Sequence, residues 1–154
     1  MTSLPIDRLQ FEHAFERDAD LADYPQLVFL DRQTGDVLWI YEDDENASME
    51  AGIPHEENAE LRHRVESEPH RFLEIPGFDH GDHHDLLREF LNSDWTHDQE
   101  ARTQADDAYT GSIGRWKRSV SDSVVHAFHA FHEHRIGQMA EVFLREHSLE
   151  PQWK

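Results

Sequence analysis

Apolar residues recur along this chain with two different periods, which predicts helices on both sides of a small sheet. Near the start, Leu9, Phe11 and Phe15 stand at near-helical spacing and predict an amphipathic helix from about residue 6 to residue 17. From about residue 121 to residue 147, apolar side chains again fall within about 60° of one direction. They are Val124, Phe128, Phe131, Met139, Val142 and Phe143. This pattern predicts a long C-terminal helix that packs on the core.

A β-hairpin is the clearest pattern between these helices. The runs 26–31 and 36–41 are rich in Val, Ile, Phe, Trp and Tyr, and a Gln-Thr-Gly turn at 33–35 separates them. Both faces of the predicted strands are apolar, so we expect both to be covered and helices to pack on the sheet. An acidic connection at 42–50 follows. A third strand predicted at 71–75, beside Pro and Gly, would extend the hairpin to a three-stranded sheet.

Three more helices are predicted from apolar spacing and capping residues. One spans about residues 56–66, one is capped by Asp82, and one from about residue 97 to residue 109 is capped by Thr96. No repeat or linker indicates a second domain. The chain is therefore predicted to be a single domain, 1–154, of the α+β class: a small antiparallel sheet of about three strands packed with several helices.

The charge of the chain limits its partners. Asp and Glu number 33 against 14 Lys and Arg, which gives a formal net charge of -19. Nucleic-acid binding is not expected, because neutralising phosphates needs an excess of cations. Of the basic residues, only Lys117 and Lys154 are lysines, and the acidic coat is of the halophilic type, which a high-salt cytoplasm would screen. An acidic nucleic-acid mimic, which would occupy a partner's basic groove, is the alternative.

Apolar runs are short and cysteine is absent. The longest run, Val37–Tyr41, is far below the roughly 20 residues that span a bilayer, and residues 1–7 do not resemble a signal peptide. We therefore expect a soluble, cytoplasmic protein with no membrane partner. Without thiolates, a metal site would have to use His, Asp and Glu.

The chain has 13 histidines, which raises the hypothesis of a metal-dependent hydrolase. The candidate ligands are His126, His129 and Glu133 in the C-terminal helix, and His80, His83 and His84 in the segment 79–85. Helical geometry puts no three of His126, His129, His132 and His134 on one face, and an HExxH motif is absent. The favoured interpretation is a polar helix face for the first group. For the second group, the favoured interpretation is that Asp82 caps a helix and the histidines face solvent. No metal or cofactor is expected.

One segment reverses the local charge. Residues 111–118 read Gly-Ser-Ile-Gly-Arg-Trp-Lys-Arg, with three positive charges and no acid. A GxxG loop beside cations could hold a phosphate. The favoured interpretation is structural: Gly111 ends a helix, Ile113 and Trp116 enter the core, and the three cations pair with nearby carboxylates.

Three motifs occur in a familiar order. They are L-D-x-x-T-G-x-V-L at 30–38, R-F-L-x-I-P at 71–76 and the glycine, aromatic and basic block at 111–118. From about residue 20 to residue 149 the chain resembles uncharacterised protein family 0158, bacterial proteins without assigned activity. Within the block, Ile113 replaces an aromatic residue, Gly114 an Arg and Arg118 an acid.

The resemblance also extends into the last helix, where Phe128, Phe131 and Arg135 match the family pattern W-x-x-F-x-x-x-R. His129 and His132 stand where an aromatic residue and an Arg are expected, which implies that the histidine stripe is particular to this chain. The resemblance places a shared binding surface around the basic block and the last helix, and it implies no reaction.

We therefore expect a non-enzymatic binding or interaction module with a protein partner. A basic, aromatic island in an acidic chain can give orientation through charge and affinity through an aromatic side chain. The predicted binding residues are Arg115, Trp116, Lys117, Arg118, Phe131 and Arg135. The sequence leaves the identity of the partner and the oligomeric state open.

Overall fold

A computed structural model describes residues 1–18, 26–42 and 54–154. In this part of the chain there are six helices: α1 (Arg8–Glu16), α2 (His55–Ser67), α3 (His80–Asn92), α4 (Gln99–Ala108), α5 (Ile113–Ser119) and α6 (Asp122–Glu146). The strands are β1 (Thr2–Ile6), β2 (Gln26–Asp31), β3 (Val37–Tyr41), β4 (Phe72–Glu74) and β5 (Leu149–Trp153). The predicted α+β class and the long C-terminal helix are confirmed. Apart from Glu42, the predicted acidic connection at 42–50 lies outside the described residues.

The chain folds into two compact units. The first contains residues 1–79 and 139–154, and the second contains residues 80–138. Both sheets, α1 and α2 belong to the first unit. Helices α3, α4 and α5 belong to the second, and α6 starts in the second unit and ends in the first. Among the described residues, no helix combines the length and the apolarity needed to cross a bilayer.

The predicted three-stranded sheet is present in the first unit, with the order β3-β2-β4 and antiparallel neighbours. Val28 lies opposite Trp39 in the hairpin, and Phe29 of the central strand lies opposite Glu74 of β4. Every residue of β2 and β3 is buried or half-buried. Both faces of the hairpin are thus covered, as the apolar pattern predicts.

The turn of this hairpin is organised by one buried carboxylate. Asp31 is 1% exposed, and its Oδ1 accepts hydrogen bonds from the backbone N–H groups of Gln33 and Thr34 at 2.9 and 3.3 Å. Arg71 donates to both carboxylate oxygens, at 3.0 Å from Nε and 2.8 Å from Nη2. Burial acts to raise the pKa of Asp31, but these hydrogen bonds outweigh it and lower the pKa from 3.8 to about 2. The pair ties the hairpin to the segment that leads into β4.

Two strands at the chain ends form a second sheet that the sequence pattern does not predict. Strands β1 and β5 are parallel, with Thr2 beside Leu149 and Ile6 beside Trp153. The predicted start of the first helix at residue 6 is therefore wrong by two residues. The helix begins at Arg8 because the Asp7 side chain caps it.

The second unit is helical and has an aromatic core. The buried side chains of this core are Leu87, Phe90, Leu91, Ala105, Trp116 and Phe128. Asp98, not Thr96, caps α4 and accepts from the backbone N–H groups of Glu100 and Ala101. Helix α3 begins at His80, so Asp82 lies in its first turn. Since Ser112 caps a further helix, α5, the basic segment is helical and not a loop.

Candidate functional site

Trp116 lies at the centre of the second unit's core. Its side chain is 0% exposed, and the indole Nε1 donates to the carbonyl of Ala105 at 3.0 Å. The rings of Phe90 and Phe128 meet it edge-on, with centroids at 6.1 and 5.4 Å. The side chain therefore has no surface to offer a partner. Its assignment as a binding residue is corrected to a core role, and the structural interpretation of this position is confirmed.

The other five predicted binding residues differ in exposure and in the contacts that they make. Arg115 and Arg118 are exposed on α5. Phe131 is half-buried and packs on Phe90 with ring centroids at 5.6 Å, while Arg135 Nε donates to Glu89 Oε2 at 3.0 Å. Phe131 thus makes a core contact, Arg135 is part of a surface ion pair, and Arg115 and Arg118 face solvent.

Lys117 has a different position from its basic neighbours. It lies one helical turn after Ile113, and both side chains line a cavity of about 120 Å³. His83 of α3, with Phe128, His129 and His132 of α6, completes the lining. Within the described ranges 1–18, 26–42 and 54–154, none of Arg115, Lys117 and Arg118 forms an ion pair with a carboxylate. The expected pairing of these cations is therefore not found there.

The ring of Phe128 brings the polar groups of this cavity together. Lys117 Nζ lies 5.7 Å from its centroid, and the rings of His129 and His132 lie at 6.0 and 5.8 Å. A cation over an aromatic face is favoured by the negative potential of the ring. Lys117 is half-buried while His129 is exposed, so the cavity has a side that faces solvent. We name this arrangement the Lys117 cavity.

Positive charge is disfavoured inside the Lys117 cavity. Burial lowers the pKa of His132, and His83, Lys117 and His129 lower it further, while Glu133 acts in the opposite direction. A half-buried imidazole beside the ammonium group of a lysine resists protonation until an anion enters. A bound anion would therefore raise the pKa of His132, and binding would be stronger at acid pH.

Volume limits what the Lys117 cavity can hold. One water needs about 10–15 Å³ on this measure, whereas sites for small molecules usually span about 300–1,000 Å³. At about 120 Å³, the cavity suits one functional group, such as a carboxylate, at the end of a larger molecule. It has no room for a whole substrate of ordinary size.

The two groups of candidate metal ligands differ in burial. His126, His129 and Glu133 are exposed on α6. His84 is buried, at 7% exposure, and its Nδ1 contacts the Tyr109 hydroxyl, so the prediction that it faces solvent is wrong. Among the described residues, no group of three His, Asp or Glu side chains could hold a metal ion.

His84 is instead part of a cluster on α3. Its ring centroid lies 4.3 Å from that of His80. Burial lowers the pKa of His84, and the nearby His80 and Arg88 lower it further. This combination favours a neutral imidazole that packs against Tyr109.

The sequence pattern does not place His83 or His132 beside Lys117. The sequence does indicate that His132 lies near the core, because helical geometry puts it about 40° from Phe128. His83 lies on a different helix, 34 positions before Lys117 in the sequence. No local pattern could join it to the basic segment, because only the packing of α3, α5 and α6 brings them together.

No family model, curated protein or solved structure matches the chain. The resemblance to uncharacterised protein family 0158 stays a prediction that rests on its three motifs. What the Lys117 cavity can do therefore follows from its own geometry and charge.

Proposed function

We propose that this protein is a non-enzymatic binding module whose Lys117 cavity receives an acidic group of a protein partner. The observation that carries the proposal is the lining of the cavity: one lysine and three imidazoles around a space of about 120 Å³. Such a space accepts a carboxylate, and Lys117 can hold it by a charge-assisted hydrogen bond.

The charge of the whole chain supports a specific and local form of recognition. At -19, the protein repels acidic molecules, but salt at 0.1 M screens this repulsion at distances beyond about 10 Å. Attraction therefore acts only near Lys117, with Arg115 and Arg118 exposed on the same helix. A partner is selected by an acidic group that reaches the cavity, not by overall opposite charge.

A carboxylate probe tests the chemistry of the Lys117 cavity. N-acetyl-glutamate N-methylamide would be titrated into the full chain while the imidazole Cε1–H signals of His129 and His132 are followed by NMR. We expect saturable shifts and a raised pKa of His132, because the anion stabilises the imidazolium. The glutamine analogue, which has the same shape without the charge, should have no such effect.

Two variants connect this result to Lys117. Lys117→Ala should weaken binding of the carboxylate probe at least tenfold, because it removes the one permanent cation among the described lining residues. Arg118→Ala removes the same charge from an exposed position on α5 and should retain most of the affinity. Equal losses in the two variants would refute a specific site. Affinity capture with Lys117→Glu and Arg118→Glu then asks whether a protein partner depends on the same residue.

A further inference from the structure

A second and larger cavity lies in the same helical unit. Its volume is about 390 Å³, which is within the range of about 300–1,000 Å³ typical of small-molecule sites. The segment before α4, α4 itself and the start of α6 contribute its walls. It shares no described lining residue with the Lys117 cavity, so it stands independently of the proposed function. We name it the Trp95 cavity.

The lining of the Trp95 cavity is polar and almost uncharged. It includes Thr96, Gln104, Ser119, Ser121 and Ser123, and the one charged side chain that the structure describes there is Asp98. No Lys or Arg of the described ranges lines it. Anionic ligands are disfavoured, because nothing in these walls compensates their charge.

Asp98 does not turn the cavity into a cation site. Its Oδ1 accepts from the backbone N–H groups of Glu100 and Ala101 at 3.0 and 3.3 Å. The carboxylate therefore caps α4, where the helix dipole also stabilises its charge. What remains for a ligand is a set of hydroxyl and amide groups that already make hydrogen bonds within the protein: Ser119 Oγ donates to the Arg115 carbonyl at 2.7 Å, and Ser121 Oγ lies 3.0 Å from Ser123 Oγ. Each hydroxyl has one donor and two acceptor positions, so unused positions remain for a ligand.

Trp95 provides an aromatic wall of the cavity. One side of its ring stacks on Phe90, with centroids at 5.0 Å and an interplanar angle of 27°. Its Nε1 is buried and finds no acceptor among the described residues, although buried indole N–H groups usually have one. The side chain also lines the cavity. Because this nitrogen is closed to solvent, the side chain offers a ligand apolar ring surface and not the N–H.

We infer that the Trp95 cavity binds a small, uncharged polyhydroxyl compound of about monosaccharide size. Its hydroxyl groups pair with the serine, threonine and amide side chains, and its C–H surface packs on the indole ring. Volume, the lack of cations in the described lining and an aromatic wall beside hydroxyl groups all favour this class.

The indole N–H signals provide a direct test. D-glucose would be titrated into the ¹⁵N-labelled full chain, with the four tryptophan side chains assigned by Trp→Phe substitution. The inference predicts a saturable shift of the Trp95 signal, while Trp39 and Trp153 of the first unit stay unchanged. Inorganic phosphate and tetramethylammonium serve as the anionic and cationic probes and should produce no saturable shift.

A cavity-filling variant separates binding in the Trp95 cavity from binding elsewhere. Ala101 lines the cavity, so Ala101→Leu fills part of it without removing a polar group. The shift should then become non-saturable, whereas Ala130→Leu, the same change at an exposed helical position, should leave it intact. If Ala101→Leu does not fold, Ser123→Ala replaces it and should weaken binding several-fold.

Three outcomes would overturn the inference. They are an unmoved Trp95 signal with glucose, an equal saturable shift in Ala101→Leu, and a saturable shift with phosphate or tetramethylammonium instead. The last would assign a charged ligand. None of these outcomes bears on the carboxylate titration at Lys117, so the two proposals fail separately.

Discussion

The buried pair between Asp31 and Arg71 offers the most quantitative prediction. Asp31→Asn keeps an oxygen that accepts from Gln33 and Thr34, but it removes the charge that pairs with Arg71. At about 1.36 kcal/mol for each pH unit, lowering the pKa from 3.8 to about 2 corresponds to about 2.5 kcal/mol. The Arg71 side chain is 20% exposed, so solvent screens part of this interaction, and we expect a loss of about 1–2 kcal/mol at neutral pH.

The pH dependence of the free energy of unfolding distinguishes the effect of the Asp31 charge from the effect of the turn geometry. Because the pKa of Asp31 is lower in the folded protein than in the unfolded chain, its stabilisation is complete above about pH 4 and is lost as the pH falls towards 2. The difference in free energy of unfolding between wild type and Asp31→Asn should therefore be largest at neutral pH. It should nearly vanish by about pH 2.

Urea unfolding followed by circular dichroism, at fixed ionic strength and several pH values, measures this difference. Asp36→Asn is the matched control, since Asp36 is exposed at the other end of the same turn and should change stability by less than about 0.5 kcal/mol. A difference for Asp31→Asn that stays constant between neutral and acid pH would refute the charge argument. It would assign the loss to the geometry of the turn instead.

Three further changes test the rest of the structure. Trp116→Ala should cost about 3–5 kcal/mol in urea unfolding, because it empties the core and leaves the Ala105 carbonyl without its donor, and a cost below about 1 kcal/mol would contradict burial. Since burial lowers the pKa of His132 below 6.5, the unfolded chain protonates first. Wild type should therefore lose stability relative to His132→Gln as the pH falls below about 6.5, and parallel pH curves would refute this. Gly35→Ala should lower the melting temperature clearly, because φ is +84° and the new Cβ would lie 1.8 Å from the Pro5 carbonyl oxygen; an unchanged melting temperature would exclude this close contact.

The hairpin shows what local sequence can predict. Its two strands and its turn are neighbours in the chain, so alternation, β-branched residues and a glycine turn contain the needed information. The sheet of β1 and β5 is the opposite case. Its partners are separated by almost the whole chain, and neither five-residue strand has a pattern that identifies the other.

Helix α6 lies between these two cases. Its existence follows from apolar spacing, but its buried apolar side chains Phe128, Ile136, Ala140 and Leu144 are spaced at multiples of four. Each four-residue step advances about 40° around a helix, so the buried stripe winds around α6 and no single direction describes it. Val142, predicted to face the core, is therefore 50% exposed.

The sequence by itself determined the α+β class, the hairpin, most helices and the acidic charge, because each depends on composition or on residues close in the chain. Tertiary structure alone decided the environment of each side chain in the basic segment. Packing of three helices buries Trp116, leaves Arg115 exposed and places Lys117 beside His83 and His132. Local spacing gives the direction of a side chain from its own helix, but the neighbours that it meets depend on how distant helices pack.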